Sequence, residues 1–216
     1  PRHALTAGHC LQDGSGDRFS PNEVTLTFGK LTRSASGGET RVASKIYRHP
    51  QLNIDNGGGK KEVVRYDIAV IELKTAINTI TPVSVPACVR GDASSSGISD
   101  TFAVGWGGDQ GAKDEMRRAR NIVDNDYRST DLFPSNDFWH TRSADSTSIS
   151  GSLGPGDSGS GLLTQWGTAP ALIGILHGST DTPTDDSVWQ RVDYASLYWT
   201  FPEASTSWAP PLEGCR

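Results

Sequence analysis

Ser158 lies in the segment Gly156-Asp157-Ser158-Gly159-Ser160-Gly161, where glycines flank a single hydroxyl on both sides. Glycines leave room for a substrate carbonyl to approach, and they keep backbone N–H groups available to an oxygen that becomes negative under attack. A serine hydroxyl is a weak nucleophile, so this chemistry requires a base and an acid that orients the base. The segment therefore indicates acyl transfer and predicts two partner residues elsewhere in the chain.

Both partners are found upstream of this serine. His9 lies in the segment Thr6-Ala7-Gly8-His9-Cys10, and Asp67 directly precedes the apolar run 68–73. Each motif has an ordinary structural explanation when taken alone: a packed histidine, an aspartate flanking a strand, a glycine-rich loop. The combination, in the order His, Asp, Ser, favours a catalytic group made of His9, Asp67 and Ser158.

These segments, in this order, resemble the chymotrypsin/trypsin family of serine endopeptidases, whereas subtilisins and α/β-hydrolases use other chain orders. His49-Pro50, 104–107 and 188–192 match further positions of the family, and the resemblance runs from Pro1 to about Trp199. A lipase-type motif is excluded because Ser160 stands where that motif requires its second glycine.

The resemblance implies the role of each site residue. His9 would be the general base, Asp67 would orient it, and Ser158 would attack the peptide carbonyl. The backbone amides of Gly156 and Ser158 would form the oxyanion hole. Asp157 would pair with an amino group that is freed on activation.

The resemblance also places the substrate-binding residues, at Ser152 and at His177, Gly178 and Ser179. Ser152 stands where an aspartate would select Lys or Arg, so a trypsin-like preference is disfavoured. The triplet 177–179 replaces the usual Ser-Trp-Gly of the family, with His177 in the place of that serine.

Several interpretations of this pocket remain open. Ser179 and Ser187 would narrow it toward small or medium apolar side chains. Alternatively, His177 resembles the way in which glutamyl-specific relatives hold an acidic side chain, or it bonds only to Asp67. Asp185 and Asp186 would restore a basic preference if either one reached inward.

The composition excludes several classes of partner. With a formal net charge of −5, the chain offers no electrostatic reason to bind nucleic acid or an anionic membrane. No apolar run approaches the roughly 18 residues that a membrane span needs. No Cys/His spacing suggests a zinc site, so no metal or cofactor is expected. The expected partners are a polypeptide substrate and protein inhibitors, and the expected state is a monomer.

The pattern of apolar residues predicts an all-β fold. Period-two alternation at 24–28 and apolar runs at 68–73 and 171–176 are typical of strands, and 24 glycines suit many tight turns. By resemblance, we expect two packed antiparallel six-stranded-type β-barrels and a short C-terminal helix. The peptidase domain would span 1–200 and would consist of four parts: first barrel 1–85, connector 86–100, second barrel 101–192 and helix 193–200. A Pro/Ser/Thr-rich extension would follow at 201–216.

The first barrel is expected to lack its N-terminal strands, because His9 lies so near the start. A chain truncated in this way would be poorly active, since Asp157 would lack its partner, and an N-terminally extended chain should turn over faster. The resemblance implies secretion and pairs Cys10 with a cysteine upstream of Pro1. Cys88 pairs either with Cys215 or with a residue upstream. The alternative function is a non-catalytic protease homologue that acts as a protein-binding module.

Overall fold

A computed structural model of the chain describes residues 1–55, 63–87, 98, 100–107, 113–123, 138–143, 153–166, 168–179 and 187–205. In this part of the chain the structure is built of antiparallel strands with one short α-helix. The strands are β1 (His3–Thr6), β2 (Thr25–Phe28), β3 (Glu39–Arg48), β4 (Asn53–Asp55), β5 (Val63–Arg65), β6 (Ala69–Leu73), β7 (Asp100–Gly105), β8 (Arg117–Val123), β9 (Phe138–Ser143), β10 (Gly161–Trp166), β11 (Ala169–Ser179) and β12 (Ser187–Arg191). The helix α1 is Tyr194–Thr200, and 3-10 turns lie at Gly8–Leu11 and Pro21–Glu23. The predicted all-β fold with a short C-terminal helix is confirmed.

The first half of the chain forms a four-stranded antiparallel sheet in the order β1-β6-β3-β2, beside a separate β4-β5 pair. The central strand β6 is covered on both faces, and Val70, Ile71 and Leu73 are each at most 2% exposed. This double burial explains why β6 is apolar at every position except the half-buried Glu72, rather than alternating. Among the described strands this sheet is open at β1 and β2.

The second half forms a closed six-stranded barrel in the order β10-β11-β12-β9-β8-β7. Two tryptophans fill its interior, and both satisfy their indole N–H groups there. Trp189 is fully buried and donates to Thr141 Oγ1 at 2.8 Å, and Trp139 donates to the Ile173 carbonyl at 2.9 Å. The barrel is therefore a packed scaffold with a paired polar atom at each indole.

Besides one apolar cluster in the first sheet and one inside the barrel, a third cluster joins the sheet, the barrel and the helix. Ala7 enters it just after β1 and Ile68 just before β6, Leu172 and Ile175 come from the barrel strand β11, and Leu197 comes from α1. Because Ala7 and Ile68 lie beside His9 and Asp67 in sequence, this cluster fixes the backbone of both candidate catalytic segments. The two halves of the chain thus meet where the functional residues are expected.

The helix begins at an N-cap, where Asp193 accepts a hydrogen bond from the Ser196 amide at 2.7 Å. The chain continues into the predicted C-terminal extension, of which residues 201–205 are described. Phe201 and Ala204 are 3% and 4% exposed and pack in the third cluster, so these five residues belong to the folded body. Across the described residues, no helix has the length and apolar character that crossing a bilayer requires.

Candidate active site

His9 is held by a 3-10 turn that directly follows β1. Its backbone N–H donates to Asp67 Oδ1 at 2.8 Å, and its ring Nδ1 donates to Asp67 Oδ2 at 2.6 Å. A Cβ atom on the preceding Gly8 would lie 2.7 Å from Leu52 Cδ2 and 3.3 Å from Asp67 Oδ1. Glycine at position 8 therefore lets the carboxylate approach the His9 backbone.

Asp67 stands just before β6, and its side chain is fully buried. The residue before it, Tyr66, has φ of 57°, which is a strained conformation for a bulky side chain. The Tyr66 ring stacks on His49 with ring centroids 4.5 Å apart, and its carbonyl accepts from the Ile68 amide at 2.8 Å. These contacts hold the tight bend that directs the Asp67 carboxylate toward His9.

His177 reaches the same carboxylate from the barrel. The β11–β12 register shifts between Leu176 and Gly178, so His177 occupies a β-bulge, where a side chain is re-aimed. Its Nδ1 donates to Asp67 Oδ2 at 2.7 Å, and its ring lies perpendicular to that of His9 with centroids 5.7 Å apart. One carboxylate oxygen therefore faces two imidazoles.

These contacts shift the pKa values of the group. Burial raises the pKa of Asp67, but hydrogen bonds from His177 and His9 and their charges outweigh it and lower that pKa to about 2. Burial lowers the pKa of His9, but the Asp67 hydrogen bond and the contact with Cys10 raise it above its ordinary 6.5. The Cys10 Sγ lies 3.7 Å from His9 Nε2. Asp67 is thus an anion that favours a positive His9, as a general base needs in its transition state.

We expect the Asp67 carboxylate to make the free energy of unfolding depend on pH in the acidic range. Its pKa falls from an ordinary 3.8 to about 2 on folding, so its stabilisation is complete above pH 4 and is lost as the pH drops toward 2. The loss should be about 2 kcal/mol in the free energy of unfolding. Urea unfolding of the wild type and Asp67→Asn between pH 6 and 2 measures it. Parallel pH dependence of the two proteins would contradict this expectation.

Ser158 lies at an exposed position in the loop that enters β10. Gly156 and Gly159 on either side of it have φ of 96° and 82°, conformations that favour glycine. The Gly159 amide donates to the Leu176 carbonyl at 2.9 Å, next to His177. A Cβ on Gly159 would lie 2.5 Å from Thr6 Oγ1. The structure therefore brings the Ser158 loop against the segment that leads into His9 and against the strand that carries His177.

A methyl group at position 159 should disturb the loop strongly. Gly159→Ala places a Cβ at positive φ and 2.5 Å from Thr6 Oγ1, so we expect a loss of about 1–3 kcal/mol in stability and a fall in kcat. Gly14→Ala is the matched control, because among the described residues its Cβ would meet no heavy atom within 4 Å. Thermal melts and turnover of both variants test this. Equal melting temperatures of the two variants would argue against the close contact.

The predicted oxyanion-hole residues are both exposed in this loop. Neighbouring amides are used internally: Asp157 N donates to the Gly154 carbonyl at 3.0 Å, and Ser160 N donates to the Asp157 carbonyl at 2.9 Å. Within the described ranges, the amides of Gly156 and Ser158 have no such backbone acceptor.

Asp157 has a structural role in this arrangement. Its side chain accepts from the backbone amides of Gly107 at 2.7 Å and Gly154 at 3.1 Å, and the residue is 4% exposed. Asp157→Ala would leave both amides without this acceptor, so we expect a loss of at least about 2 kcal/mol in the free energy of unfolding. Asp157→Asn keeps one acceptor oxygen and should cost less. Chemical denaturation of both variants measures the difference, and an alanine variant as stable as the wild type would contradict this role.

The structure describes only some of the predicted substrate-binding residues. Ser152, and also Asp185 and Asp186, lie outside the described residues. Ser179 pairs with Ser187 at the end of β11, and Ser187 is 2% exposed. A Cβ on Gly178 would meet no heavy atom within 4 Å among the described residues, so space is open there.

Two supporting residues, Gly8 and Tyr66, were not identified from the sequence. The only signal for Gly8 is its place beside the candidate histidine, and nothing marks Tyr66 before its φ is known. Among the cysteines, Cys10 has a free thiol in the structure, and Cys88 and Cys215 lie outside the described ranges. The expected disulfides therefore stay predictions.

Comparison with known proteins places the chain in a family and gives a partial match to a curated protein. A family model described as Trypsin matches residues 1–199 of the chain. The suppressor of tumorigenicity 14 protein homolog of Bos taurus is 29% identical over 119 residues, which is 52% of this chain and 13% of that protein. The chain thus spans a small part of that relative. Because the family match covers nearly the whole chain, and the fold is the all-β architecture that the match implies, this chain belongs to the trypsin family.

Proposed function

We propose that the protein is a serine endopeptidase that hydrolyses peptide bonds through an acyl-enzyme. Ser158 attacks the carbonyl carbon, and His9 Nε2 takes the hydroxyl proton and then gives it to the leaving amine. Asp67 holds His9 in the tautomer that carries its proton on Nδ1. The amides of Gly156 and Ser158 bind the oxyanion, and water then releases the acyl group.

The observation that carries this proposal is the 2.6 Å hydrogen bond between His9 Nδ1 and the fully buried Asp67 carboxylate. Since Asp67 is ionised, it accepts and Nδ1 donates, which leaves Nε2 unprotonated when the ring is neutral. The second Asp67 oxygen fixes the His9 backbone, so ring and main chain are positioned together. A Cβ at Gly159 would lie 2.5 Å from Thr6 Oγ1, so the Ser158 loop packs against the segment that leads into His9. This packing supports a contact between the Ser158 hydroxyl and the His9 ring.

For His177, the hydrogen bond to Asp67 favours a positioning role over direct substrate contact. A second donor on Oδ2 resists rotation of the carboxylate and stabilises its negative charge. We therefore propose Ser152, Gly178 and Ser179 as the residues that touch the substrate side chain, with a preference that is not trypsin-like. His177 acts on that side chain only through the neighbouring backbone.

Cleavage profiling on a peptide library tests this function. The protein should cleave peptide bonds, with an initial burst of product equal to the enzyme concentration for ester substrates, because ester acylation is faster than deacylation. Cleavage after Lys or Arg alone would contradict the proposed specificity. Absence of cleavage in a correctly oxidised, processed protein would favour the binding-module alternative.

The family acts on polypeptides, and the remaining partner predictions follow from that proposal. We propose secretion, a monomeric state and control by protein inhibitors that occupy the substrate-binding site. Neither nucleic acid nor membrane binding is part of the proposal. Size-exclusion chromatography with light scattering tests the monomeric state, and a stable dimer would contradict it.

A further inference from the structure

We propose that His9, Asp67 and His177 form an inhibitory site for a divalent cation of the zinc class. Each residue offers one ligand atom, and these atoms all lie within 4.8 Å of one another. Binding of the cation rests on this geometry alone. Inhibition rests in addition on the proposed role of His9 as the general base.

Binding of a zinc ion would require only a small movement of the His9 and His177 rings. The two Nδ1 atoms lie 2.6 Å and 2.7 Å from Asp67 Oδ2. Ligand atoms around tetrahedral zinc, with bonds of about 2.0–2.2 Å, are about 3.3 Å apart, so each ring must retreat by about 0.6–0.7 Å. The His9 and His177 side chains are 26% and 16% exposed, whereas Asp67 is fully buried. The two rings are therefore the elements at the surface, and their displacement opens the path to the carboxylate.

The donor set fits zinc better than magnesium or calcium. Two imidazole nitrogens and one carboxylate oxygen suit borderline cations, whereas magnesium and calcium prefer sites made of oxygen. The Asp67 carboxylate is ionised and fully buried, so it brings a negative charge to the centre of the cluster. A cation would compensate this buried charge, and water would fill the remaining position.

Coordination requires the Nδ1 atom of each histidine to give up its proton. In the free protein each Nδ1 carries a proton and donates it to Asp67. When Nδ1 binds the cation, that proton is lost to water, and the proton that the ring keeps lies on Nε2. The His9 Nε2 then carries a proton and cannot accept the one from Ser158. The cation therefore stops acylation at its first step.

His177 is the residue that makes this site particular to the chain. The family's usual serine at this position would leave only His9 and Asp67, and two protein ligands hold zinc weakly. His177→Ser is therefore the matched substitution, since it removes one imidazole ligand and leaves His9 and Asp67 in place. His3→Ser removes a histidine outside the cluster and serves as the control.

Isothermal titration calorimetry with ZnCl2 near pH 8 measures binding without reference to activity. We expect one zinc ion per wild-type chain, at least about tenfold weaker binding in His177→Ser, and unchanged binding in His3→Ser. MgCl2 should give no such binding. Equal zinc affinity in the wild type and His177→Ser, or loss of affinity in His3→Ser, would overturn the site.

Activity at increasing zinc concentration, each protein compared with its own zinc-free rate, tests inhibition separately. Wild type should lose activity as the site fills, and His177→Ser should need at least about tenfold more zinc. If zinc binds through His177 but the protein cleaves peptides equally fast with and without zinc, the proposal of inhibition is wrong and the peptidase proposal stands. If zinc binds through His177 but no cleavage occurs without zinc, the site stands and the peptidase proposal fails.

Discussion

Replacement of Ser158 by alanine is expected to lower kcat by about 10⁶-fold and to leave the melting temperature unchanged. The loss is large because the hydroxyl forms the covalent intermediate, and the residual rate comes from substrate binding and the oxyanion hole alone. Stability should be retained because Ser158 is exposed. Single-turnover cleavage of a preferred peptide, with a thermal melt of the same sample, measures both quantities.

Ser160→Ala is the matched control for this variant. It removes a hydroxyl from the same loop, two residues further along, and should change kcat only a few-fold. If Ser160→Ala lost as much activity as Ser158→Ala, the loop hydroxyls would share a structural role. A Ser158→Ala protein that kept more than about 1% of the wild-type rate would contradict the nucleophile assignment.

The second large effect is expected for Asp67→Asn, with a fall of about 10⁴-fold in kcat at neutral pH. The amide is neutral and has its own N–H donors, so it no longer selects the His9 tautomer with the proton on Nδ1. It also no longer stabilises a positive ring. Because Asp67 raises the pKa of His9, the acid limb of the rate profile should move to lower pH in the variant.

The pH–rate profiles of the wild type and Asp67→Asn separate catalysis from stability. His177→Ser is the comparison, since it removes one donor from Asp67 and leaves the carboxylate in place. Its effect on kcat should be far smaller than that of Asp67→Asn. Equal effects of the two substitutions, or an unmoved acid limb in Asp67→Asn, would contradict the orienting role of the carboxylate.

The pairing of His9 with Asp67 was predictable because both belong to motifs whose order is informative. The strand β6 was predictable for a physical reason: a strand buried on both faces is mostly apolar, and 68–73 is apolar at every position except Glu72. The barrel strands β10 and β11 follow the same rule over parts of their length. In these segments burial is the main determinant of composition.

The register within β3 was not predictable. Its alternation at Val42, Ser44 and Ile46 suggests a single inward face, yet Ala43 is fully buried and Ile46 also packs in the core. The pairing of β3 with β6 shifts register between Ala43 and Lys45, which exchanges the faces along the strand. Such a bulge depends on pairing with a distant strand, so local sequence does not reveal it.

The same limit applies to His177 and to the proposed cation site. The sequence left two roles open for His177, contact with an acidic substrate side chain or a bond to Asp67 alone, and the bulge in β11 directs it to Asp67. Rules of metal-ligand spacing also predicted no metal, because they detect ligands that are close in the chain. Here the three candidate ligands come from a 3-10 turn, the start of β6 and the end of β11.

The central claim is that Ser158 is a nucleophile activated by His9, and labelling with a fluorophosphonate tests it most directly. Mass spectrometry of the digested, labelled protein should locate one adduct on Ser158 in the wild type. The adduct should be absent in His9→Ala and unchanged in Ser160→Ala. An unlabelled wild-type protein, or an adduct that forms equally in His9→Ala, would contradict the claim.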